Sequence, residues 1–236
     1  MGLTEGGTRR DADLYPRGLR NRLRSAADTA RLTGLAGFAT RVLPWSLARE
    51  YSIYRQDLDR IIEVPPPTVP CLIRQAGRED IPNILSLRRG YYSHSLLEKR
   101  FEAGHLAFIG CSGDRPVYCQ WAITGTAEVP YLHGRLVLGR DEAFSDEIFV
   151  HPAYRRSGIY INGSVYIREA LREKGFRTLY SAVASWNDVP RKVMVKMGMT
   201  EIARLRYRNV PGFRKARWSG RVEVREDGSL TFHASR

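Results

Sequence analysis

The residues with the clearest chemical content lie between positions 146 and 160, in the run DEIFVHPAYRRSGIY. Asp146 and Glu147 stand side by side and are followed by the apolar Ile148, Phe149 and Val150. His151 and Pro152 mark a turn, and Arg155, Arg156, Ser157, Gly158, Ile159 and Tyr160 lead into a helical pattern. A strand, a basic loop with one glycine and a helix start, in that order, form an anion site. The first N–H groups of a helix have no partner inside it, and the dipole adds partial positive charge. Arg155 and Arg156 add full charge at the same place, so a phosphate is the natural guest. A basic strand-to-helix turn with no ligand would read the same way. The paired carboxylates suit general base work, which near neutral pH needs a raised pKa. Neighbours on a regular strand point to opposite faces, so only one of the two can face a cleft. The alternation does not say which.

The run resembles the acyl-CoA-binding motif of the GCN5-related N-acetyltransferases. That motif is Arg or Gln, two residues, Gly, one residue, then Gly or Ala, after a strand ending in Val-x-Pro. Val150 and Pro152 close the strand here, and Arg155, Gly158 and Tyr160 fill the motif positions. Tyr160 is a departure. A second stretch, residues 187–199, is similar to the family's later motif, with Asn187, Lys196 and Gly198 in register. Pro190 replaces a small residue, which a first helical turn tolerates. Met194 stands where many members carry a Tyr that protonates the departing thiolate, and Met199 replaces a Phe. The resemblance extends over residues 71–224.

The resemblance implies an N-acyltransferase that uses acetyl-CoA, or another acyl-CoA, as co-substrate, needs no metal, and acts on a small-molecule amine. It implies a mixed, mostly antiparallel sheet flanked by helices. It assigns a backbone N–H in the segment Phe149–Val150 to the thioester carbonyl. The N–H groups of Arg155, Arg156, Ser157, Gly158, Ile159 and Tyr160 would meet the pyrophosphate, and Asn187 the pantetheine arm or a nearby water. Asp146 or Glu147 would be the base. With Met194 unable to donate, Tyr160, Tyr166, Ser185 or solvent would protonate the thiolate, and His94, His105 and His151 are further candidates.

Around these residues the chain reads as α/β. Strands are expected at 71–75, 106–111, 117–124 and 143–150, with a strand or long hairpin at 131–138. Helices are expected at 78–89, 93–103, 160–174 and 187–196, and Gly175 is a candidate C-terminal cap of the third. Further strands are expected at 176–184, 200–207 and 216–224, with a basic loop at 208–215 and a hairpin or frayed end beyond Arg225. Upstream, residues 63–70 read EVPPPTVP, an extended spacer, which places a domain boundary at about residue 70. The first part, residues 1–70, is then an N-terminal extension, polar to residue 14 and helical from 19 to 58. The second, residues 71–236, is the acyltransferase domain.

Hydrophobic residues make up 43% and charged residues 27%, as in an ordinary soluble domain, but the net charge is +13. Such a field draws anionic partners. Residues 17–49 combine Arg17, Arg20, Arg22, Arg24, Arg31, Arg41 and Arg49 with periodic apolar positions and Trp45. That pattern fits peripheral contact with an anionic membrane, or a helical pair docked on the catalytic domain. Arg204, Arg206, Arg208, Arg214, Lys215 and Arg217 with Tyr207, Phe213 and Trp218 favour an acidic or phosphate-bearing acceptor, or a solvated basic loop. A nucleic-acid-binding module is the alternative class, though no recognised reader motif supports it. A degenerate CoA-binding protein without turnover is another. Cys71, Cys111 and Cys119 match no zinc spacing and are expected to be buried thiols. The start of the chain lacks a signal-like apolar core, and no apolar run reaches spanning length. A cytoplasmic protein, with contact at the inner membrane face, is the expectation.

Overall fold

The computed structural model describes residues 48–60, 62–210 and 213–233. A sheet of eight strands dominates it, in the order β10-β9-β1-β8-β7-β4-β3-β2. The strands are β1 (Ala48–Asp57), β2 (Leu72–Ala76), β3 (Leu106–Ser112), β4 (Arg115–Thr124), β7 (Glu142–Val150), β8 (Thr178–Ala184), β9 (Thr200–Val210) and β10 (Phe213–Gly220). Every neighbouring pair is antiparallel except β7 and β8, which run parallel. A smaller sheet holds β5 (Thr126–Val129), β6 (Gly134–Val137), β11 (Val222–Val224) and β12 (Ser229–Phe232). The strand or long hairpin expected at 131–138 holds one strand, β6, whose hairpin partner β5 lies just upstream, and β12 near the end of the chain pairs on the other side of β6.

Helices cover both faces of the large sheet. They are α1 (Ile81–Leu87), α2 (His94–Glu102), α3 (Ile159–Glu173) and α4 (Asp188–Lys196). The centre of β4 shows the effect: residues 117–123 are all buried. Cys119 and Trp121 pack with Ile84, Leu96 and Leu97 of α1 and α2. Tyr118 and Ala122 pack with Ile159, Ile167 and Leu171 of α3. A strand sandwiched in this way reads as a continuous apolar run rather than an alternating one. Helix α3 lies so close to β4 that a side chain at Gly163 would run into the Tyr118 ring. Helix α2 starts where Ser93 Oγ accepts the Leu96 N–H at 3.2 Å, and its buried side carries Leu96, Leu97 and Arg100.

The sequence pattern predicts helix through Leu58, but Ala48–Asp57 is β1, paired with β8 on one side and β9 on the other. Its aromatic and β-branched residues account for this. Tyr51 and Ile53 enter one core cluster while Tyr54 enters another, so both faces of the segment are covered. The buried Arg168 of α3 holds the end of the strand, donating to Leu58 C=O at 2.9 Å. Residues 63–70 therefore link two strands of one sheet. The domain boundary expected at residue 70 is corrected, because the folded unit begins at least as early as Ala48. The expected helical extension upstream of Ala48 lies outside the described residues. The expected loop at 208–215 is also corrected: β9 runs to Val210 and β10 starts at Phe213, because regular cross-strand pairing continues to the turn.

Candidate active site

Strands β7 and β8 part company halfway along. Their ladder runs from Glu142↔Thr178 to Ser145↔Ser181 and stops there. Beyond it β7 stays paired with β4 as far as Tyr118↔Val150, and β8 stays paired with β1 as far as Tyr51↔Ala184. Each strand follows its outer neighbour, and a wedge opens between residues 146–150 and 182–184. A cavity of about 730 Å³ fills the wedge. Ile148, Phe149, Val150, Val183, Val193 and Met194 make much of its wall apolar. This is the size and character of a site for a cofactor-sized molecule.

The basic loop forms part of the same wall. Arg155, Arg156, Gly158, Ile159 and Tyr160 all line the cavity. Gly158 is the N-cap of α3, with φ of 84° in the left-handed region that glycine enters without steric cost. The N–H groups of the first helical turn thus start from the cavity wall. Arg155 and Arg156 are exposed, so their charge stays hydrated. Ser157 is buried and does not line the cavity. Its hydroxyl donates to Tyr154 C=O at 2.6 Å and braces the turn. The Pro-rich segment holds the loop from outside: Thr68 N–H donates to Ser157 C=O at 2.8 Å, and Asn162 Nδ2 to Pro65 C=O at 3.1 Å.

The two carboxylates depart from strand alternation. Trp121 opposes Asp146 while Cys119 opposes Phe149, so β7 holds one more residue than β4 between these pairs. This is a β-bulge, and Glu147 sits in it with φ of 49°. The expectation that the two acids point to opposite faces is corrected, because the bulge turns both toward one guanidinium. Arg100 Nη1 lies 3.1 Å from Glu147 and Nη2 lies 3.5 Å from Asp146, with all three side chains buried. Tyr92 hydroxyl donates to Glu147, Tyr91 hydroxyl donates to it at 3.3 Å, and Tyr131 hydroxyl donates to Asp146 at 2.8 Å. Arg88 adds a second cation, stacked 3.3 Å from the Tyr91 ring centroid. Burial and the nearby Glu147 charge push the Tyr91 hydroxyl above its usual range. Glu147 lines the cavity; Asp146 stands behind it and does not.

Asn187 also lines the cavity, at the N-terminus of α4. The cavity therefore gathers Glu147, Phe149, Val150, Arg155, Arg156, Gly158, Ile159, Tyr160 and Asn187. Of the candidates for thiolate protonation, Tyr160 lines it, and burial raises its pKa, so its phenol is protonated at neutral pH. Tyr166, Ser185, His94, His105 and His151 are not among the lining residues. Met194 is buried in the wall, an apolar surface where a donor could stand. Sequence reasoning missed Tyr131, Ser145 and Ser181, which also line the cavity. Ser145 had a local signal: it alternates with Glu147 along a strand ending in the loop. Behind it a buried chain runs from Tyr118 hydroxyl to Gln120 and from Gln120 Nε2 to Ser145 Oγ at 2.8 Å. Among the described residues no cluster of His, Cys, Asp and Glu is arranged to hold a metal ion.

No protein-family model matches the chain, and no curated protein matches it. Solved structures are similar to it in fold. AAC(6')-Iy, in complex with the bisubstrate analogue CoA-S-monomethyl-acetylneamine, is 20% identical with a TM-score of 0.45, over 56% of this chain and 92% of that one. An aminoglycoside acetyltransferase from an uncultured soil metagenomic sample, in complex with sisomicin, is 16% identical with a TM-score of 0.41, over 52% and 83%. A GCN5-related N-acetyltransferase from Sphaerobacter thermophilus is 15% identical with a TM-score of 0.47, over 71% and 54%. In its fold, the chain is similar to GCN5-related N-acetyltransferases.

Proposed function

We propose that the chain is an N-acyltransferase that moves an acetyl group, or another acyl group, from CoA to a primary amine. One observation carries this reading: the wedge between β7 and β8 is walled by a glycine-capped helix start, by strand backbone and by one buried carboxylate. In this reading the pyrophosphate rests on the N–H groups around Gly158, with Arg155 and Arg156 beside it. The pantetheine arm runs between the splayed strands past Asn187. A backbone N–H at Phe149 or Val150, left without a β8 partner, polarises the thioester carbonyl.

The amine nitrogen attacks the thioester carbon, the C–S bond breaks, and an amide and free CoA thiol result. The attacking nitrogen must lose one proton and the departing sulfur must gain one. Glu147 is the carboxylate placed to accept the first, directly or through water, and Tyr160 is the phenol placed to hydrogen-bond the sulfur. Asp146, out of the cavity and held by Arg100 and Tyr131, acts as a positioning residue. The acceptor is a small amine. Among the described residues, the cations of β9 and β10 do not line the cavity, so this reading does not require an anionic acceptor.

Calorimetric titration of acetyl-CoA into the full chain tests the reading, with Gly158→Trp as the control. Saturable binding is expected in the parent and none in the variant, followed by thiol release when amines are supplied. No binding of acetyl-CoA, longer acyl-CoA or free CoA would overturn it. Binding without thiol release for any amine would favour a CoA-binding protein without turnover, a reading that Met194 in the cavity wall supports.

A further inference from the structure

We propose that the outer face of β1, β9 and β10 is a docking surface for an anionic lipid bilayer. On β9, Arg204, Arg206 and Arg208 share one face. Their cross-strand partners on β10 include Arg217 opposite Arg206 and Lys215 opposite Arg208. Partners directly opposite on an antiparallel pair project to the same side, so two pairs of like charges face each other. Like charges placed this way weaken a sheet. Nothing on β10 relieves them, since Phe213–Gly220 contains no acid. The acids nearby are already engaged. Glu50 takes Arg206 at 2.8 Å and Arg204 at 3.3 Å, and Glu201 takes Arg204 at 2.6 Å. Arg206, Arg208, Lys215 and Arg217 are exposed. A row of exposed cations held together against its own repulsion is matched by an external anion.

The shape and the remaining side chains favour lipid. The face belongs to β9 and β10, the last two strands at one end of the broad sheet. Tyr207 and Trp218 point the other way: Tyr207 stacks on His133 at 3.6 Å, and Trp218 packs toward Phe232. Tyr207 and Trp218 therefore offer no stacking platform on the cationic side, as a single-stranded nucleic acid would need. At the border of the face stands Trp186, 49% exposed, next to Ser185, whose N–H is bonded to Glu50 C=O. An exposed tryptophan beside a cationic field is the composition of a membrane-interface surface. Ala48, at the start of β1, lies opposite Arg208.

Flotation of the full chain with vesicles of phosphatidylcholine mixed with phosphatidylglycerol tests this, against phosphatidylcholine alone. Binding is expected only to the anionic vesicles and should fall as salt is raised. Each cation near such a surface is worth about fivefold in partitioning, so Arg208→Gln with Lys215→Gln and Arg217→Gln should weaken binding on the order of a hundredfold. Because this variant removes opposed like charges, it should unfold at a urea concentration no lower than the parent does. Arg172→Gln with Lys174→Gln and Arg177→Gln removes the same charge from the C-terminal end of α3 and the turn that follows it, and should change binding little. Equal losses in both variants would overturn the proposal, as would an absence of salt-sensitive binding by the parent. A loss of oligonucleotide binding in the first variant with vesicle binding intact would overturn it in favour of nucleic acid.

Discussion

Replacing Arg100 by methionine isolates the energetic centre of the site. The guanidinium is 1% exposed and lies between two buried carboxylates, at 3.1 Å from Glu147 and 3.5 Å from Asp146. Methionine keeps the apolar stem of the side chain but removes the guanidinium and its charge. Two adjacent carboxylates are then left in a buried site with their principal counter-ion gone. At an effective dielectric of about 20, unit charges about 4 Å apart interact by about 4 kcal/mol. Breaking a buried pair by removing one partner typically costs about 3–5 kcal/mol, because the survivor is stranded. That is a large share of the total stability of roughly 5–15 kcal/mol expected of a domain. In urea unfolding the midpoint should fall by roughly 1–2 M with little change in slope. Adding Asp146→Asn and Glu147→Gln to Arg100→Met should recover most of the loss, because the two buried carboxylates are then no longer stranded as charges. Acyl transfer should not return with it, since the proton acceptor has been neutralised. A loss below about 1 kcal/mol in the single variant, or no recovery in the triple, would refute the picture of a guanidinium shared by two buried acids.

Further outcomes follow from the same geometry. Glu147→Gln should lower the rate of thiol release at saturating acetyl-CoA by roughly 10²–10⁴-fold, while Asp146→Asn should act mainly on urea stability; the reverse ordering would reassign the base. Gly158→Ala forces a Cβ into left-handed backbone, at a cost of about 1–2 kcal/mol, and against Pro67 Cα at 3.2 Å. Calorimetry should show at least about tenfold weaker acetyl-CoA binding, and an unchanged affinity would remove the loop from the site. His105 is 4% exposed, neither ring nitrogen has a hydrogen-bond partner among the described residues, and burial with the nearby Arg100 lowers its pKa to about 4. Between that value and the usual 6.5 the unfolded chain takes up a proton that the folded chain refuses. Stability should therefore be intact above 6.5 and fall as pH drops toward 4, by about 3 kcal/mol in all. In His105→Leu, urea unfolding across that range should lose this slope.

Much of the framework was legible because it is local. Strand 142–150, the turn at His151, the basic loop and α3 follow one another in sequence, and period and glycine placement mark each. The pair Asp146 and Glu147 was visible as chemistry, but its arrangement depends on a bulge, which alternation cannot foresee. Arg100, Tyr91 and Tyr92 carry no motif. They meet Glu147 only because α1 and α2 pack on the far side of β4, a tertiary fact. The misreading of Ala48–Asp57 has a similar cause. Upstream apolar residues at helical spacing extend a helix pattern that the tertiary slot between β8 and β9 overrides.

The place of β1 has a consequence for how the chain assembles. It is the earliest described strand to be synthesised, yet its partners are β8 and β9, more than a hundred residues downstream: Asp57 pairs with Thr178 and Ala48 with Arg208. While the intervening chain emerges, β1 must wait with both edges open. Contacts this distant in sequence slow folding and lengthen the time in which open edges can find the wrong partner. The strand is also a keystone. A fragment trimmed at the Pro-rich stretch would keep β8 and β9 but lose the element between them, leaving two facing edges with no bridge. Such a fragment should aggregate rather than fold, and supplying residues 48–57 as a separate peptide should rescue it if the gap alone is at fault.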